Sequence, residues 1–355
     1  MIDKVCTIGP ASNNQEILQG LIEKGMTIVR LNMSHGTQAD HLAVIEMVRE
    51  ICMTTGSNVR ILGDLQGPKI RLGKIKADKA VLKEGNSFSL TIEEIVGDES
   101  HASVDYKGLI NDIKVGSRVL INDGEVELSV VETDERTAKT IVKAGGMIAS
   151  RKGVNVPGTS LSLPAITEKD KSDIEFLVKH HVDIIACSFI RQAVHLQHIK
   201  EYISHFTDTP PKLMAKIETL EAVTAFTDIC EEADAIMLAR GDLGVELPYY
   251  WIPMLQKAML AECANREKFV VTATQMLQSM TENAVPTRAE VTDVFQAVQD
   301  GTNAVMLSAE SAVGKHPLES IDVLTKTASV SERFKETVPL DLSSIVAAIQ
   351  TELSS

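Results

Sequence analysis

Aromatic side chains are scarce in this chain, at 4 % of its residues, and no long run of Lys or Arg occurs. A surface that grips nucleic acid needs clustered positive charge, so a net charge of −14 without such a cluster argues against that class. Long apolar stretches are missing as well: none approaches the roughly 20 residues that span a bilayer, and no charged and apolar leader opens the sequence. Cysteines are few and odd in number, with Cys6, Cys52, Cys187, Cys230 and Cys263 forming no CxxC and no metal-ligand spacing. That pattern suits a reducing compartment and small buried side chains. The expectation is a cytoplasmic protein with neither membrane nor nucleic acid as partner. Apolar residues are plentiful, at 44 % of 355 residues, enough for one large core and a second, smaller domain.

Short apolar runs alternate with amphipathic helical patterns along most of the chain. Lys4–Gly9, Thr27–Asn32 and Val59–Asp64 read as strands, separated by helices over Asn14–Lys24 and Ala39–Met53. From residue 66 to about 153 helical periodicity disappears and short β-type runs take over: Ser87–Ile92, Arg118–Ile121, Val126–Glu132 and Thr137–Val142, with Asn122-Asp123-Gly124 as a turn signal. Alternation resumes at Thr167, an N-cap with Asp170 three residues on, followed by a helix to His180 and a strand over Asp183–Phe189. Then come helix Ala193–Phe206 and strand Lys212–Glu218, helix Leu220–Glu231 and strand Ala235–Ala239, helix Met254–Arg266 and strand Phe269–Thr274, helix Arg288–Gln299 and strand Ala304–Ser308, and a last helix over Pro317–Phe334. Eight such pairs predict an α/β (β/α)8 TIM barrel with an all-β lid domain inserted after the third strand. The expected division is 1–65 with 154–336 as barrel, 66–153 as lid and 337–355 as a tail with one amphipathic segment, Leu342–Leu353. A doubly wound open sheet is the alternative, weakened because no GxGxxG follows the first strand.

Polar residues gather at the predicted strand ends: Arg30, Asn32 and Ser34, then Asp64, Ser188 and Arg191, Lys216 with Glu218, Arg240 with Asp242, Thr274, and Ser308 with Glu310. Strand ends of a parallel barrel converge on one rim, and alternate residues share a face. A surface ion pair worth about 1 kcal/mol or less explains any one of these alone, but not the recurrence. Glu218 and Asp242 offer hard oxygens to Mg²⁺ or Mn²⁺. Arg30 and Lys216 suit the charge of a phosphoryl group in transfer, and Thr274 can relay a proton. Gly241 and Gly244 fit a loop that lets backbone N–H groups approach an anion. His35 lies beside this set, with a nucleotide contact and a plain loop role equally open. His180 and His181 read as helix caps, His195, His198 and His205 as one helix outside the barrel, and Met276 and Met280 as packing.

The stretches Cys6–Ser12, Arg30–Gly36, Gly63–Arg71, Lys152–Pro157, Met214–Glu218, Ala239–Gly244, Thr272–Met276, Pro286–Glu290 and Met306–Glu310 give the chain a strong resemblance to pyruvate kinases from Val5 to about Phe334. The resemblance implies phosphoryl transfer from phosphoenolpyruvate to ADP, giving pyruvate and ATP. It implies that Glu218 and Asp242 hold the divalent metal, that Lys216 stabilises the moving phosphoryl group, that Arg30 and Arg71 meet phosphates, and that Thr274 lies near the enolate carbon. Asp123 and Lys152 of the lid would swing over the nucleotide, with Asn32, His35 and Gly241 completing the substrate set. Asn32, Ser34, Asp64 and Leu65 correspond to the family's monovalent-cation pocket, where Lys69 stands in place of a Glu found in potassium-dependent members. Activity without K⁺ is therefore expected. Asn122 replaces a second Asp of many relatives. Members usually continue into a carboxy-terminal effector-binding domain, of which only Leu342–Leu353 resembles a start, so no effector site and a homodimer through the barrel helices are expected. Two other readings are carried forward: a metal-dependent lyase acting on pyruvate enolate, and a catalytically idle binding subunit.

Overall fold

The computed structural model describes residues 1–334, 345–346 and 349–351. Most of the Leu342–Leu353 segment lies outside these residues. Eight parallel strands form a closed barrel: Asp3–Thr7, Ile28–Asn32, Arg60–Asp64, Ile184–Cys187, Lys212–Ile217, Ala235–Ala239, Phe269–Ala273 and Ala304–Leu307. Ile184–Cys187, Ala235–Ala239 and Ala304–Leu307 are wholly apolar and buried because both faces are covered, the inner by the barrel core and the outer by helices. The first strand pairs with the eighth, Asp3 opposite Ala304. Ile184 of the fourth lies opposite Leu62 of the third and Lys212 of the fifth. The open-sheet alternative is thereby excluded.

By compactness the described chain falls into two units. One comprises Met1–Val29, Val44–Val59 and the described residues from Val271 on; the other comprises Arg30–Ala43 and Arg60–Val270. In the first, Asn14 caps helix Gln15–Glu23 by accepting from the Ile17 N–H at 3.0 Å, and Thr287 with Glu290 forms a capping box for Arg288–Gln299. A further helix runs over Pro317–Phe334, with Pro at a position where its missing N–H costs nothing. Met276 and Met280 are fully buried packing residues.

In the second unit the β insert follows the third barrel strand. It is a seven-stranded sheet in the order Ile70–Arg71, Gly153–Asn155, Arg118–Ile121, Val126–Thr133, Thr137–Ala144, Ser87–Thr91, His101–Ser103, beside a two-stranded pair of Lys79–Leu82 and Gly146–Ala149. Alternation along Val126–Thr133 turns Val126, Leu128 and Val130 into a core of its own with Phe88, Leu90 and Val119. At the predicted turn, Asn122 and Asp123 both adopt left-handed φ, 57° and 54°, and Gly124 follows at 92°. Thr167 and Asp170 form the capping box of helix Glu168–Lys179, whose C-cap is His180.

Two local expectations are corrected. The helix expected over Leu220–Glu231 is two, Leu220–Thr224 and Phe226–Glu232. Thr224 bonds back to the Leu220 carbonyl at 3.0 Å, a side-chain contact that bends helices. Arg240-Gly-Asp-Leu-Gly244 is not a loop but the body of a short helix, Arg240–Glu246. Leu243 turns inward to bury its side chain, and Asp242 in the first turn meets the positive end of the helix dipole.

Candidate active site

A cavity of about 200 Å³ in the second unit is lined by Arg30, Asn32, Ser34, His35, Asp64, Leu65, Gln66, Lys69, Arg71, Ser188, Phe189, Lys216, Glu218 and Asp242. The alternation expected at the ends of the second and fifth strands is thus realised: Arg30 with Asn32, and Lys216 with Glu218, share one face. At its floor lies a buried charge network. Lys216 places its Nζ 3.1 Å from Asp64 Oδ1, 3.0 Å from Glu218 Oε1 and 2.7 Å from Ser188 Oγ. Arg30 donates from Nε to Asp64 Oδ2 at 2.7 Å. The Asp64 and Glu218 side chains are each only 1 % exposed.

Burial sets up the electrostatics and the neighbours decide its outcome. It works against the charge of Lys216, but Asp64 and Glu218 raise the ammonium above its ordinary range and keep it protonated. Burial also opposes the Asp64 anion, yet Lys216 and Arg30 hold that carboxyl below the usual value. Glu218 goes the other way: burial pushes it up, Lys216 offsets part of the rise, and the nearby Asp242 charge adds to it. Glu218 Oε2 accepts from the Phe189 N–H at 2.6 Å. Phe189 has φ 56°, a left-handed backbone that a bulky residue keeps only under constraint from its surroundings.

Asp242 faces the same cavity from the short helix, and its Oδ1 is 3.2 Å from Lys69 Nζ. Lys69 also approaches Asp123 Oδ1 of the insert at 3.7 Å. Lys69 therefore shares a cavity with Asn32, Ser34 and Asp64, while its ammonium pairs with Asp242 and Asp123. Asp64 is paired with Arg30 and Lys216 instead, the Leu65 carbonyl accepts from Ser188 Oγ at 2.7 Å, and Asn32 Oδ1 accepts from the Ser34 N–H at 3.1 Å.

A larger opening, about 790 Å³, adjoins through shared residues Ser34, His35, Gln66 and Arg71, and is lined also by Lys74 and Arg151. Arg71 reaches across it, donating from Nη1 to the Arg151 carbonyl at 3.0 Å. His41, buried, holds the His35 carbonyl at 2.9 Å and so steadies the loop between the two openings. Lys152 is exposed and lines neither.

Not every strand-end residue joins this set. Arg191 turns to the Leu163 carbonyl, 2.6 Å from Nη2, and lines another cavity of about 320 Å³ that shares Lys69 and Phe189 with the first. Arg240 donates to Gln256 Oε1 at 3.2 Å. Glu310 is fully buried and accepts from the N–H groups of Ser308 at 2.7 Å and Leu277 at 3.0 Å, so its carboxylate supports backbone. In the first unit Thr274 stands just past its strand with φ 71°, and its hydroxyl donates to the Ala273 carbonyl at 2.6 Å. Gln66, the Phe189 N–H and the bridging hydroxyl of Ser188 are the site groups that residue spacing missed or left without a role. Ser188 alone carried a signal, its place at a strand end.

The family model for the pyruvate kinase barrel domain matches residues 2–321. Pyruvate kinases of Thermococcus litoralis and Thermotoga maritima are each 42 % identical, over 94 % and 97 % of this chain and 70 % and 74 % of their own lengths. Against the pyruvate kinase of Geobacillus stearothermophilus, also 42 % identical, the chain spans 57 % of the relative's length. A crystal structure of a pyruvate kinase from Cryptosporidium parvum superposes with a TM-score of 0.91 at 38 % identity, covering 99 % of this chain and 72 % of that one. With its barrel, its β insert and its buried Lys216 network, the chain belongs to the pyruvate kinase family.

Proposed function

We propose that this chain transfers the phosphoryl group of phosphoenolpyruvate to ADP, giving pyruvate and ATP. The observation that carries the reading is the Lys216 ammonium, fixed by Asp64, Glu218 and Ser188 in a cavity it shares with Asp242 and Arg30. In this reaction an oxygen of the ADP β-phosphate bonds to the phosphorus of phosphoenolpyruvate, the bond from phosphorus to the enol oxygen breaks, and the resulting enolate takes a proton at its terminal carbon. Lys216 and Arg30 supply preorganised positive charge to the phosphoryl oxygens while negative charge redistributes. Thr274 is the hydroxyl assigned to the proton delivery.

The donor set suits a divalent cation. Two hard carboxylates face one cavity, with the Asp242 charge adding to the rise of the Glu218 carboxyl, and among the described residues no group of three or more His, Cys, Asp or Glu could hold a metal ion. Glu218 and Asp242 would hold Mg²⁺ or Mn²⁺, which as a Lewis acid neutralises phosphate charge and leaves coordination places for substrate and water. Lys69, in the cavity with Asn32, Ser34, Asp64 and Leu65, supplies the charge that a bound K⁺ supplies elsewhere, and turnover proceeds without K⁺. Residues 66–153 act as a lid over the barrel of 1–65 and 154–336, bringing Asp123 and Lys152 to the nucleotide beside His35, Arg71 and Gly241. Among the described residues no helix is long and apolar enough to cross a membrane. The proposal places the chain in the cytoplasm, as a homodimer through barrel helices.

The lyase and the idle binding subunit are not favoured, because the similar proteins are named pyruvate kinases. A lactate-dehydrogenase-coupled assay with phosphoenolpyruvate, ADP and Mg²⁺ tests the reading. Wild type is expected to turn over and Lys216→Met to lose nearly all activity; equal rates would remove Lys216 from the chemistry.

A further inference from the structure

Away from the active cavity, two thiols face each other. Cys230 on helix Phe226–Glu232 and Cys263 on helix Ile252–Asn265 lie with their sulfurs 4.0 Å apart, both buried. The other three cysteines have no thiol partner given by the structure: Cys6 and Cys187 are buried, where desolvation pushes their thiols up and makes them inert, and Cys52 is half-buried. Around the pair the setting is different. Either S–H can donate to the other sulfur; this contact, with Lys268 and Arg266 nearby, draws the Cys230 thiol down in spite of burial, while Cys263 is pushed up. Lys268 and Arg266 favour the thiolate at Cys230, and the 4.0 Å between the sulfurs must close to about 2.05 Å for a bond to form.

We infer that Cys230 and Cys263 are a reversible oxidation site, forming a disulfide when a small hydroperoxide reaches them. The Cys230 thiolate attacks one peroxide oxygen and breaks the O–O bond; the oxygen that leaves takes a proton, and Cys230 becomes a sulfenic acid. Cys263 then attacks that sulfur, gives up its thiol proton and expels the hydroxyl as water. Overall, two thiols and hydrogen peroxide become a disulfide and two waters; each sulfur gives up one electron and the peroxide accepts two. Because both sulfurs are buried, the oxidant proposed is a small hydroperoxide and not a bulky disulfide. The closed ring, residues 230 to 263, contains the sixth barrel strand and the helix bearing Asp242.

The test treats the folded chain with hydrogen peroxide, blocks free thiols under denaturing conditions and maps peptides by mass spectrometry with and without dithiothreitol. The expected result is a Cys230–Cys263 linked peptide, two of the five thiols lost and both regained on reduction. Cys263→Ser should stop at the sulfenic acid, trapped on residue 230 by dimedone, and Cys230→Ser should leave residue 263 reduced. Retention of all five thiols in wild type, or a linkage through Cys52, overturns the inference, and wild type alone decides this if a variant fails to fold.

Discussion

Lys216 is one positive charge shared by two buried carboxylates, so its removal strands both. Lys216→Met is expected to destabilise the chain by about 3–5 kcal/mol near neutral pH, read from urea midpoints. The loss should shrink as pH falls. Glu218 already has a raised carboxyl in the native state, and without Lys216 it rises further; a raised acid favours the fold below its ordinary pKa and loses that contribution as pH climbs through the folded value. A deficit equal at pH 5 and pH 8 would show that the charge pairing is not its source. Lys69 offers a sharper functional test, because its ammonium pairs with Asp242 at 3.2 Å and Asp123 at 3.7 Å. Lys69→Glu should make turnover depend on K⁺, assayed against tetramethylammonium; a wild type that itself needs K⁺ contradicts the role given to Lys69. The pairing of Lys216 with Glu218 was legible from their spacing on one strand. The approach of Lys69 to Asp242 was not, since 173 residues separate them.

At the scale of elements, one buried carboxylate ties two segments together. Asp170 caps its own helix, accepting from the Thr167 N–H at 2.8 Å, and its other oxygen accepts from the Gly67 N–H at 3.0 Å. Gly67 has φ 70°, and a Cβ there would meet that of Ser188 at 2.7 Å, so the backbone leading into the insert is held by contacts that only glycine permits. Asp170→Ala removes the cap and leaves the Gly67 N–H unpaired, an expected cost of about 2–4 kcal/mol in chemical denaturation, whereas a change below 0.5 kcal/mol, roughly what a neutral surface site gives, would mean water replaces both bonds. Sequence showed the cap, from Thr167 and Asp170, but not the second bond. Helix Ala193–Ser204 carries a pH effect. Burial, then Arg191, hold His195 down from 6.5 to about 4, with Glu221 opposing and His198 adding to the fall. The folded state favours the neutral ring, so this contribution is present above about pH 6.5 and is lost as pH drops toward 4. Replacing His195 with Gln should flatten the stability–pH slope in that window, seen as fewer protons taken up on unfolding.

For the whole molecule, the insert has a core of its own around Phe88, Leu90, Val119 and Leu128. Phe88→Ala, at a fully buried position, is expected to cost that core about 3–5 kcal/mol. If residues 66–153 are a separate lid, hydrogen exchange should quicken across the insert strands while barrel strands keep their protection; uniform loss across the chain would argue for one cooperative unit. The loss of helical period at residue 66 and its return at Thr167 made the insert visible in advance, because binary patterning is a local property. Sequence by itself determined the eight alternating strands and helices, the all-β interruption and the acidic and basic residues at strand ends. It could not assign partners. Only closure of the barrel decided that Lys216 lies between Asp64 and Glu218, that Arg191 turns to Leu163 and Glu310 to backbone N–H groups, and that Arg240–Gly244 winds into a helix. Period and propensity act over a few residues, whereas ion pairing depends on which distant strand ends meet, and that is a property of the folded chain.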